Sequence, residues 1–456
     1  MATVGLSFGS ATSGQGFDIA STVTQIQASE AAIETPWKSQ LTTLQAQDTV
    51  FTSLGSDLST LTTSLQALTD FSGVMSQKQG SSSNSDVLSL TSASGSAIAG
   101  SHTVVVNSLA QTSSEYSDAV SANDTLAGSL TIQVGSGASQ TITVDSSSDT
   151  MSTLAAAINS ADVGVRASII TDSSGSRLSL VSATSGASGQ LTVTSALSDS
   201  TTGTSVAFNT GQTGADASLK VDGISLSSAS NTVSTAIPGV TFQLLSSAVG
   251  SPVQVEITND NTTIETAFAS MVSAYNAVVN DLSTQEGKDS SGNAEPLYGS
   301  PTLALIQGQL SSGLLSGAAS GSVAGVMDLG ISFNNDGTLS LNNDTLDSVL
   351  NSNFTDVTGF LQNSGSFGQS FGTILNNLGT QAPNGAVYLA QQQNTAQEAS
   401  LNQNITDEDA RLATQKTELT DELNTANQIL QSIPSQLNEV NEMYSAFTGY
   451  NSANNG

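Results

Sequence analysis

Two stretches near opposite ends of the chain carry apolar residues at alternating steps of three and four positions. The first runs through Phe51, Leu54, Leu58, Leu61, Leu65 and Leu68, and the second through Leu412, Lys416, Leu419, Leu423, Ala426, Leu430, Ile433, Leu437, Val440, Tyr444 and Phe447. An average step of 3.5 residues keeps a narrow stripe in contact with one partner helix, as in coiled coils. The sequence therefore predicts a helical stalk that is built from both ends and carries the intervening chain.

The intervening chain, from about residue 76 to 260, alternates polar and apolar residues with a period of two. This pattern is typical of half-buried strands, and the Asp222-Gly223 pair between two alternating runs predicts a tight hairpin. Asp336-Gly337 predicts a second hairpin further along the chain. The predicted class is α+β multidomain, with a terminal coiled-coil leg, a helical body and inserted antiparallel β-rich head subdomains.

Three residues indicate where the terminal helices begin or bend. Asp18 is placed to cap a first helix through Ile19, and Pro36 suits the first turn of the next helix. Pro434 lies inside the C-terminal seam, where it removes a backbone hydrogen bond. Either the helix kinks there or a second helix begins at Ser432.

The charge balance excludes two classes of partner. Eight Lys and Arg stand against 38 Asp and Glu, which gives a net charge of −30. Such a chain repels phosphate backbones and anionic lipid headgroups, so we expect no nucleic-acid partner. No stretch approaches the roughly 20 apolar residues of a spanning helix, so we expect no membrane insertion.

The residues that carry most enzyme chemistry are scarce. The chain has no cysteine and one histidine, His102, for which the sequence offers no oriented catalytic partner. We expect a structural or solvent-facing role for it, and we expect no enzyme, no cofactor and no metal site. The first twenty residues lack the basic and apolar regions of a Sec signal, so export would take another route.

Several separate motifs resemble one known family, the flagellar filament-capping or hook-associated protein 2 family. At the N-terminus Phe17-Asp18-Ile19 is similar to the start of the family's leg. The segments 97–111 and 231–241 resemble two segments of its head, and Ala274-Tyr275-Asn276 with 329–341 resembles the junction of leg and head. The match spans nearly the whole chain, and the motifs occur in the family's order.

The resemblance implies a division of the chain into four parts. These are a terminal leg (1–35 and 395–456), a helical body (37–75 and 263–394), a first β head subdomain (76–106 and 206–262) and a second β head subdomain (107–205). It also implies a homo-oligomeric ring of five or six subunits at the distal end of the bacterial flagellar filament. Flagellin and an export chaperone would be its other partners, and the protein would be secreted.

The helical seams are the expected oligomer and filament interface. Its predicted residues are Ile19, Val23, Ile26, Leu54, Leu58, Leu61, Leu65, Leu419, Leu423, Leu430, Ile433, Leu437, Val440, Tyr444 and Phe447. Two other functions stay open at this point. One is another hook-associated or junction protein of the flagellum, and the other is an exported adhesin on a coiled-coil stalk, for which the polar head would serve in cell adhesion.

Overall fold

The computed structural model describes Gly16 and residues 18–448, so Phe17 of the first family motif lies outside the described residues. The chain folds into two compact units. One is formed by the chain up to Gln66 together with the chain from Phe268 onward, and the other is Ala67–Ala267. The first is mainly helical and the second mainly antiparallel sheet, which confirms the predicted fold class.

Helices account for most of the first unit. The α-helices of both units, within the described residues, are α1 (Ile19–Glu30), α2 (Glu34–Thr69), α3 (Met151–Ser160), α4 (Asn261–Gln285), α5 (Pro301–Gly313), α6 (Asn343–Ser352), α7 (Phe354–Gln362), α8 (Phe367–Leu378) and α9 (Ala386–Thr448). Of these, α3 lies in the second unit.

The predicted helix start is confirmed, and one of the two alternatives at Pro434, a second helix, is wrong. The Ser21 backbone N–H donates to Asp18 Oδ1 at 3.1 Å, so Asp18 caps α1. A single 3₁₀ turn, Ala31–Ile33, joins α1 to α2. Helix α9 continues through Pro434 to Thr448, so no second helix begins at Ser432. Proline removes one backbone bond, and the flanking turns of this long helix supply the others.

A short hairpin is fastened to α4 by one asparagine. The hairpin consists of β19 (Ile331–Phe333) and β20 (Leu339–Leu341), and its turn contains Gly337 at a φ of 83°. Asn276 on α4 donates from Nδ2 to the Leu339 carbonyl oxygen at 2.8 Å and accepts from the Leu339 N–H at 2.7 Å. This pair of bonds gives the Asn of the Ala274-Tyr275-Asn276 motif a structural role.

The second unit contains eighteen strands within the described residues. They are β1 (Lys78–Ser82), β2 (Leu88–Ala93), β3 (Gly100–Ser108), β4 (Thr112–Ser117), β5 (Leu126–Ala127), β6 (Ser129–Val134), β7 (Gln140–Thr143), β8 (Val165–Asp172), β9 (Gly175–Ser185), β10 (Leu191–Ser195), β11 (Leu197–Asp199), β12 (Ser205–Val206), β13 (Phe208–Gln212), β14 (Ala217–Val221), β15 (Ile224–Ser228), β16 (Thr232–Ile237), β17 (Val240–Leu244) and β18 (Val253–Asn259).

One apolar core joins a five-stranded sheet, β1-β18-β3-β14-β15, to a three-stranded sheet, β16-β17-β2. The Asp222-Gly223 hairpin joins β14 to β15, and both turn residues have positive φ, as a tight hairpin turn requires. His102 Nδ1 lies 2.7 Å from Asp222 Oδ2. This contact fastens the turn to β3, and it holds the pKa of the Asp222 carboxyl below its usual range.

Two family-like segments of this core are tied together by a side chain. Asn231 accepts from the Ala110 N–H at 2.7 Å and donates to the Ala110 carbonyl oxygen at 3.0 Å. The segment after β3 is thereby fixed to the start of β16. Because buried backbone groups require partners, Asn231 has a structural reason to stand at this position.

A second apolar core is enclosed by the sheets β13-β4-β9-β8, β10-β6-β7 and β12-β11-β5 together with α3. The predicted boundaries of this subdomain need correction at both ends. Ala110 packs in the first core, whereas Val206 and Phe208 pack in the second. Strand β13 has a weak alternating pattern, but the packing of Phe208 and the pairing with β4 assign it to the second subdomain, which therefore extends to about Gln212.

Candidate assembly interface

Helix α1 lies against the middle of α9, so the two ends of the chain meet as neighbouring rods. Gln27 Nε2 donates to the Leu412 carbonyl oxygen at 2.6 Å, and Gln415 Nε2 donates to Glu30 Oε1 at 2.9 Å. Val23 is the buried residue of α1, at 3% exposure. The terminal helices therefore contact each other in the single chain, with α1, rather than the stripe from Phe51 to Leu68, beside Leu412.

The pairing is antiparallel and continues along α2. Asn394 Nδ2 donates to Asp48 Oδ1 at 2.8 Å, and Gln391 Nε2 donates to Thr52 Oγ1 at 3.2 Å. As the chain advances from Gln27 to Thr52, its partners on α9 move back toward the start of that helix. Side-chain amides thus supply much of the specific contact between these helices.

Basic residues are placed where acids accumulate at the junction of α1, α2 and α9. Arg411 Nη2 lies 2.6 Å from Glu408 Oε1 and 3.5 Å from Glu30 Oε2. The hydrogen bond from Arg411 lowers the pKa of the Glu408 carboxyl. Glu34, 3% exposed, pairs with Lys38, and this hydrogen bond raises the pKa of the Lys38 amine. Two of the eight basic residues therefore neutralise acids at this junction.

Burial falls steadily along the C-terminal seam of α9. Leu412 is 8% exposed, Leu437 43%, Val440 55% and Phe447 94%. Between these limits the half-buried seam residues are Leu419, Leu423, Ala426, Leu430 and Ile433. Lys416 and Tyr444 are exposed. We call Leu430, Ile433, Leu437, Val440, Tyr444 and Phe447 the outer seam. Ile19 and Ile26 of α1 are also half-buried.

The four predicted interface residues on α2 need correction. Leu54, Leu58, Leu61 and Leu65, which we call the inner seam, are at most 1% exposed in the single chain. Leu58 lines the same small cavity as Leu375 of α8. Helices of the same chain already cover these side chains, so they belong to the core of the helical unit.

The sequence prediction missed two exposed apolar residues beside the outer seam. Ile429 is 59% exposed and Met443 is 65% exposed. Each directly precedes a seam residue, Leu430 and Tyr444 respectively, so the apolar stripe is wider than a strict coiled-coil seam. In the sequence both residues can be recognised because each forms an adjacent apolar pair with a seam residue. A pattern defined only by apolar residues three or four positions apart does not include them.

Two other kinds of site are absent from the part of the chain that the structure describes. Residues 18–448 contain no group of three or more His, Asp or Glu side chains that could hold a metal ion. Over the same residues, no helix combines the length and apolarity needed to cross a bilayer.

Three family models match the chain. Residues 15–113 match the N-terminus of flagellar hook-associated protein 2, and residues 214–435 match its C-terminus. Residues 129–184 match the flagellin hook IN motif. The chain belongs to the flagellar hook-associated protein 2 family.

Individual members of the family are moderately similar to this chain. The B-type flagellar hook-associated protein 2 of Pseudomonas aeruginosa is 29% identical over 151 residues, and the A-type protein is 28% identical over 148. These alignments span about a third of each chain, namely 32% and 31% of the respective relatives.

A solved structure extends the likeness to most of the fold. The D1-D2-D3 domains of the flagellar cap protein from Escherichia coli are 27% identical, with a TM-score of 0.56. The match covers 76% of this chain and 99% of that one. The helical unit and the β-rich unit are therefore arranged along the sequence as in a known cap protein.

Proposed function

We propose that this family member is a structural cap at the distal end of the bacterial flagellar filament. In this role it forms a homo-oligomeric ring of five or six subunits that promotes folding and polymerisation of exported flagellin and prevents its leakage. The names of the similar proteins and the match to the Escherichia coli cap protein support this proposal. It is an assembly role, and it requires no catalysis.

The single observation that carries the proposal is the loss of burial along α9. A helix that is buried at Leu412 and exposed at Phe447 presents an apolar stripe whose outer end, from Leu437 onward, is largely open to solvent in the single chain. Exposed contiguous apolar surface of this kind marks an interaction site. A neighbouring subunit or a filament subunit would bury it.

Several weak legs suit a cap better than one strong leg. A cap must shift whenever a flagellin subunit is added, so each contact has to break readily. Five or six legs joined in one ring can hold the filament collectively, because linked binding events gain effective concentration. The outer seam gives each leg one such contact.

The exposed outer seam also has consequences for how the chain is exported and where it functions. We infer that the chain is secreted and functions at the filament tip. Before assembly its exposed stripe would be a liability in the cytoplasm, and an export chaperone that covers the stripe would remove that liability.

The test is a pair of double variants of the full chain. Leu430→Asp with Leu437→Asp places charge on the outer seam, whereas Gln431→Asp with Asn438→Asp adds the same charge one position along on the same helix. We expect sedimentation to show that the seam variant no longer forms large oligomers. Cells that carry it should be non-motile and should release flagellin monomer into the medium. The control should assemble and swim normally.

Two results would contradict the proposal. One is normal sedimentation and swimming of the seam variant. The other is equal loss in both variants, which would mean that added charge alone is responsible. Circular dichroism checks that the head sheets remain folded in every variant.

A further inference from the structure

Strand β8, in the second head subdomain, lies at the edge of the sheet β13-β4-β9-β8. Its register with β9 runs from Val165 opposite Ser182 to Asp172 opposite Gly175. In antiparallel pairs, alternate residues direct their backbone groups toward the partner strand and away from it. Half of the β8 backbone groups therefore point to the free edge.

The hydrogen bonds around β8 establish which half this is. The Ala183 N–H donates to the Gly164 carbonyl oxygen at 2.9 Å, so even-numbered residues of this segment face β9. The Leu178 N–H, opposite Ile169, donates instead to Ser117 Oγ at 2.8 Å on the far side of β9. Odd-numbered residues of β8 therefore direct their N–H and C=O groups outward.

One position on this edge is already occupied by a side chain. Asn159 of α3 donates from Nδ2 to the Ala167 carbonyl oxygen and accepts from the Ala167 N–H, both at 2.8 Å. The Asn159 amide thus takes the place of a neighbouring strand at Ala167. Further along, the backbone groups of Ile169 and Thr171 have no such substitute among the described residues.

The open part of the edge also lacks the usual protection. Natural edge strands carry lysine, proline or a bulge that prevents pairing with another chain. The three residues Ile169, Ile170 and Thr171 are β-branched, uncharged and exposed, at 58% for Ile170 and 36% for Ile169. Such a segment is suited to accept another strand.

We propose that this edge pairs antiparallel with the same edge of a second copy, about a two-fold axis at Ile170. In that register Ile169 of each copy faces Thr171 of the other, and four backbone hydrogen bonds use the N–H and C=O groups of these two residues. Ile170 then stands directly opposite itself, where side chains are closest. The segment is complementary to its own copy in both backbone and side chain.

The charges flanking the segment favour the same register. Arg166 and Asp172 lie on the face of β8 that carries Ile170, four residues before it and two after it. With Ile170 opposite Ile170, Asp172 of one copy is diagonal to Arg166 of the other, within reach of long side chains. The two opposite-charge pairs flank the central apolar pair symmetrically.

This contact differs in kind from a ring contact. A two-fold interface closes on itself and cannot propagate around a ring. The pairing would therefore join heads that belong to two different rings, or two chains that have not yet assembled. It does not depend on the cap proposal, because it concerns the second head subdomain alone.

The absence of cysteine from the sequence permits a direct test on the full chain. In the proposed register the Ile170 Cα atoms are about 4.5 Å apart, which a disulfide can bridge. With a mild oxidant, Ile170→Cys should cross-link to a dimer at least tenfold faster than Ile224→Cys. Ile224 is a suitable control because it is 66% exposed at the free edge of β15 in the other subdomain.

Two further variants test the register and the backbone pairing. Ile169→Cys should cross-link at the control rate, because the two copies of residue 169 are about 7–8 Å apart on the diagonal. Adding Thr171→Pro to Ile170→Cys should return its rate to the control value, because proline removes an N–H that faces the free edge without removing a bond to β9. Circular dichroism confirms that the double variant is folded.

Three results would overturn the proposal. They are cross-linking of Ile170→Cys at the control rate, faster cross-linking through residue 169 than through residue 170, and cross-linking that Thr171→Pro leaves unchanged. Cross-linking of Ile170→Cys at the control rate would mean that this edge does not pair with a second copy, and an extended segment of another protein would be the remaining partner. Cross-linking that Thr171→Pro leaves unchanged would mean that side chains alone bring the copies together.

Discussion

The inner seam of α2 and the outer seam of α9 have the same apolar spacing and opposite environments. The inner leucines are at most 1% exposed, whereas Leu437, Val440, Tyr444 and Phe447 range from 43% to 94%. Periodicity therefore specifies which face of a helix needs a cover. It does not specify whether the same chain supplies that cover.

The difference follows from what lies opposite each seam. Helix α8 packs against the inner seam, since Leu58 and Leu375 line one cavity. Along α9 the described N-terminal residues extend as far as Asn427, where a Cβ added to Gly16 would fall 2.0 Å from Asn427 Oδ1. Helix α9 continues from there to Thr448.

The largest expected effect comes from truncating the inner seam. Leu58→Ala should lower the free energy of unfolding by about 2–5 kcal/mol, because it removes a fully buried side chain and leaves a cavity. Leu437→Ala, the same chemical change on the outer seam, should alter it by less than about 0.5 kcal/mol. Urea unfolding of both variants below their assembly concentration measures this contrast. Similar losses in the two variants would remove the distinction between the seams.

Val23 on α1 lies where the chain's own helices meet, between the fully buried inner seam and the exposed outer seam, and its truncation should have an intermediate effect. Val23→Ala should weaken the attachment of α1 by roughly 1–2 kcal/mol, from about 0.8 kcal/mol for each buried methylene-sized group. Hydrogen exchange should report this as faster exchange of the α1 amides, with the head unchanged. Val440→Ala is the matched control and should leave α1 protection as it is. Unchanged α1 protection in Val23→Ala would show that the amide contacts alone hold the helix.

A pair of carboxyl groups beside the inner seam should make the stability of the helical unit depend on pH. Burial, together with the hydrogen bond and charge of Asp281 on α4, raises the pKa of Asp57 on α2 from 3.8 to about 6. The folded protein therefore binds a proton that the unfolded chain releases between about pH 4 and 6. This contribution is complete at low pH and is lost as the pH rises through about 6.

Asp57→Asn should abolish that dependence. It should raise the free energy of unfolding at about pH 7 by less than about 1 kcal/mol, because solvent screens a partly exposed pair. Glu439→Gln on the outer seam's helix is the matched control. Urea unfolding at about pH 7 and about pH 5 measures both. A wild-type stability that is unchanged, or higher at the higher pH, would contradict the raised pKa.

The smallest expected effect concerns the ion pair where α1 meets α9. Glu30→Gln keeps an acceptor for Gln415 but removes the charge that faces Arg411. The loss should be about 0–1 kcal/mol and should vanish in high salt, because the Arg411 side chain is half exposed. Thermal unfolding at two salt concentrations, with Asp421→Asn as the control, measures it. A loss that persists in high salt would indicate a packing role for Glu30.

Local chemistry made much of this fold predictable. The Asp18 cap and the Asp222-Gly223 and Asp336-Gly337 hairpins depend on residues next to one another in the chain, and the structure contains all three. The shared apolar spacing near the two ends predicted that the terminal helices meet. It did not predict that α1 would be the helix beside Leu412, or that the pairing would be antiparallel.

Other features depend on contacts between distant residues, which one sequence does not reveal. Asn276 and Asn231 serve backbone groups of remote segments, and nothing beside them in the sequence identifies those partners. Strand β13 was assigned to the wrong subdomain because its pairing with β4, and not its pattern, determines its place. The covering of the inner seam likewise depends on α8, far along the chain.

The hydrogen bond between Gln27 and Leu412 spans 385 residues. A polypeptide that is made and threaded from one end offers α1 long before its partner exists, and so short a helix is unstable alone in water. Head strands β1 and β18 close a shorter loop, since Lys78 and Asn259 are 181 residues apart. On loop length alone, the contact between α1 and α9 therefore costs more entropy to close than the pairing of β1 with β18, and we expect α1 to dock later than these strands pair. A chain that ends before Leu412 would lack the partner on which α1 depends.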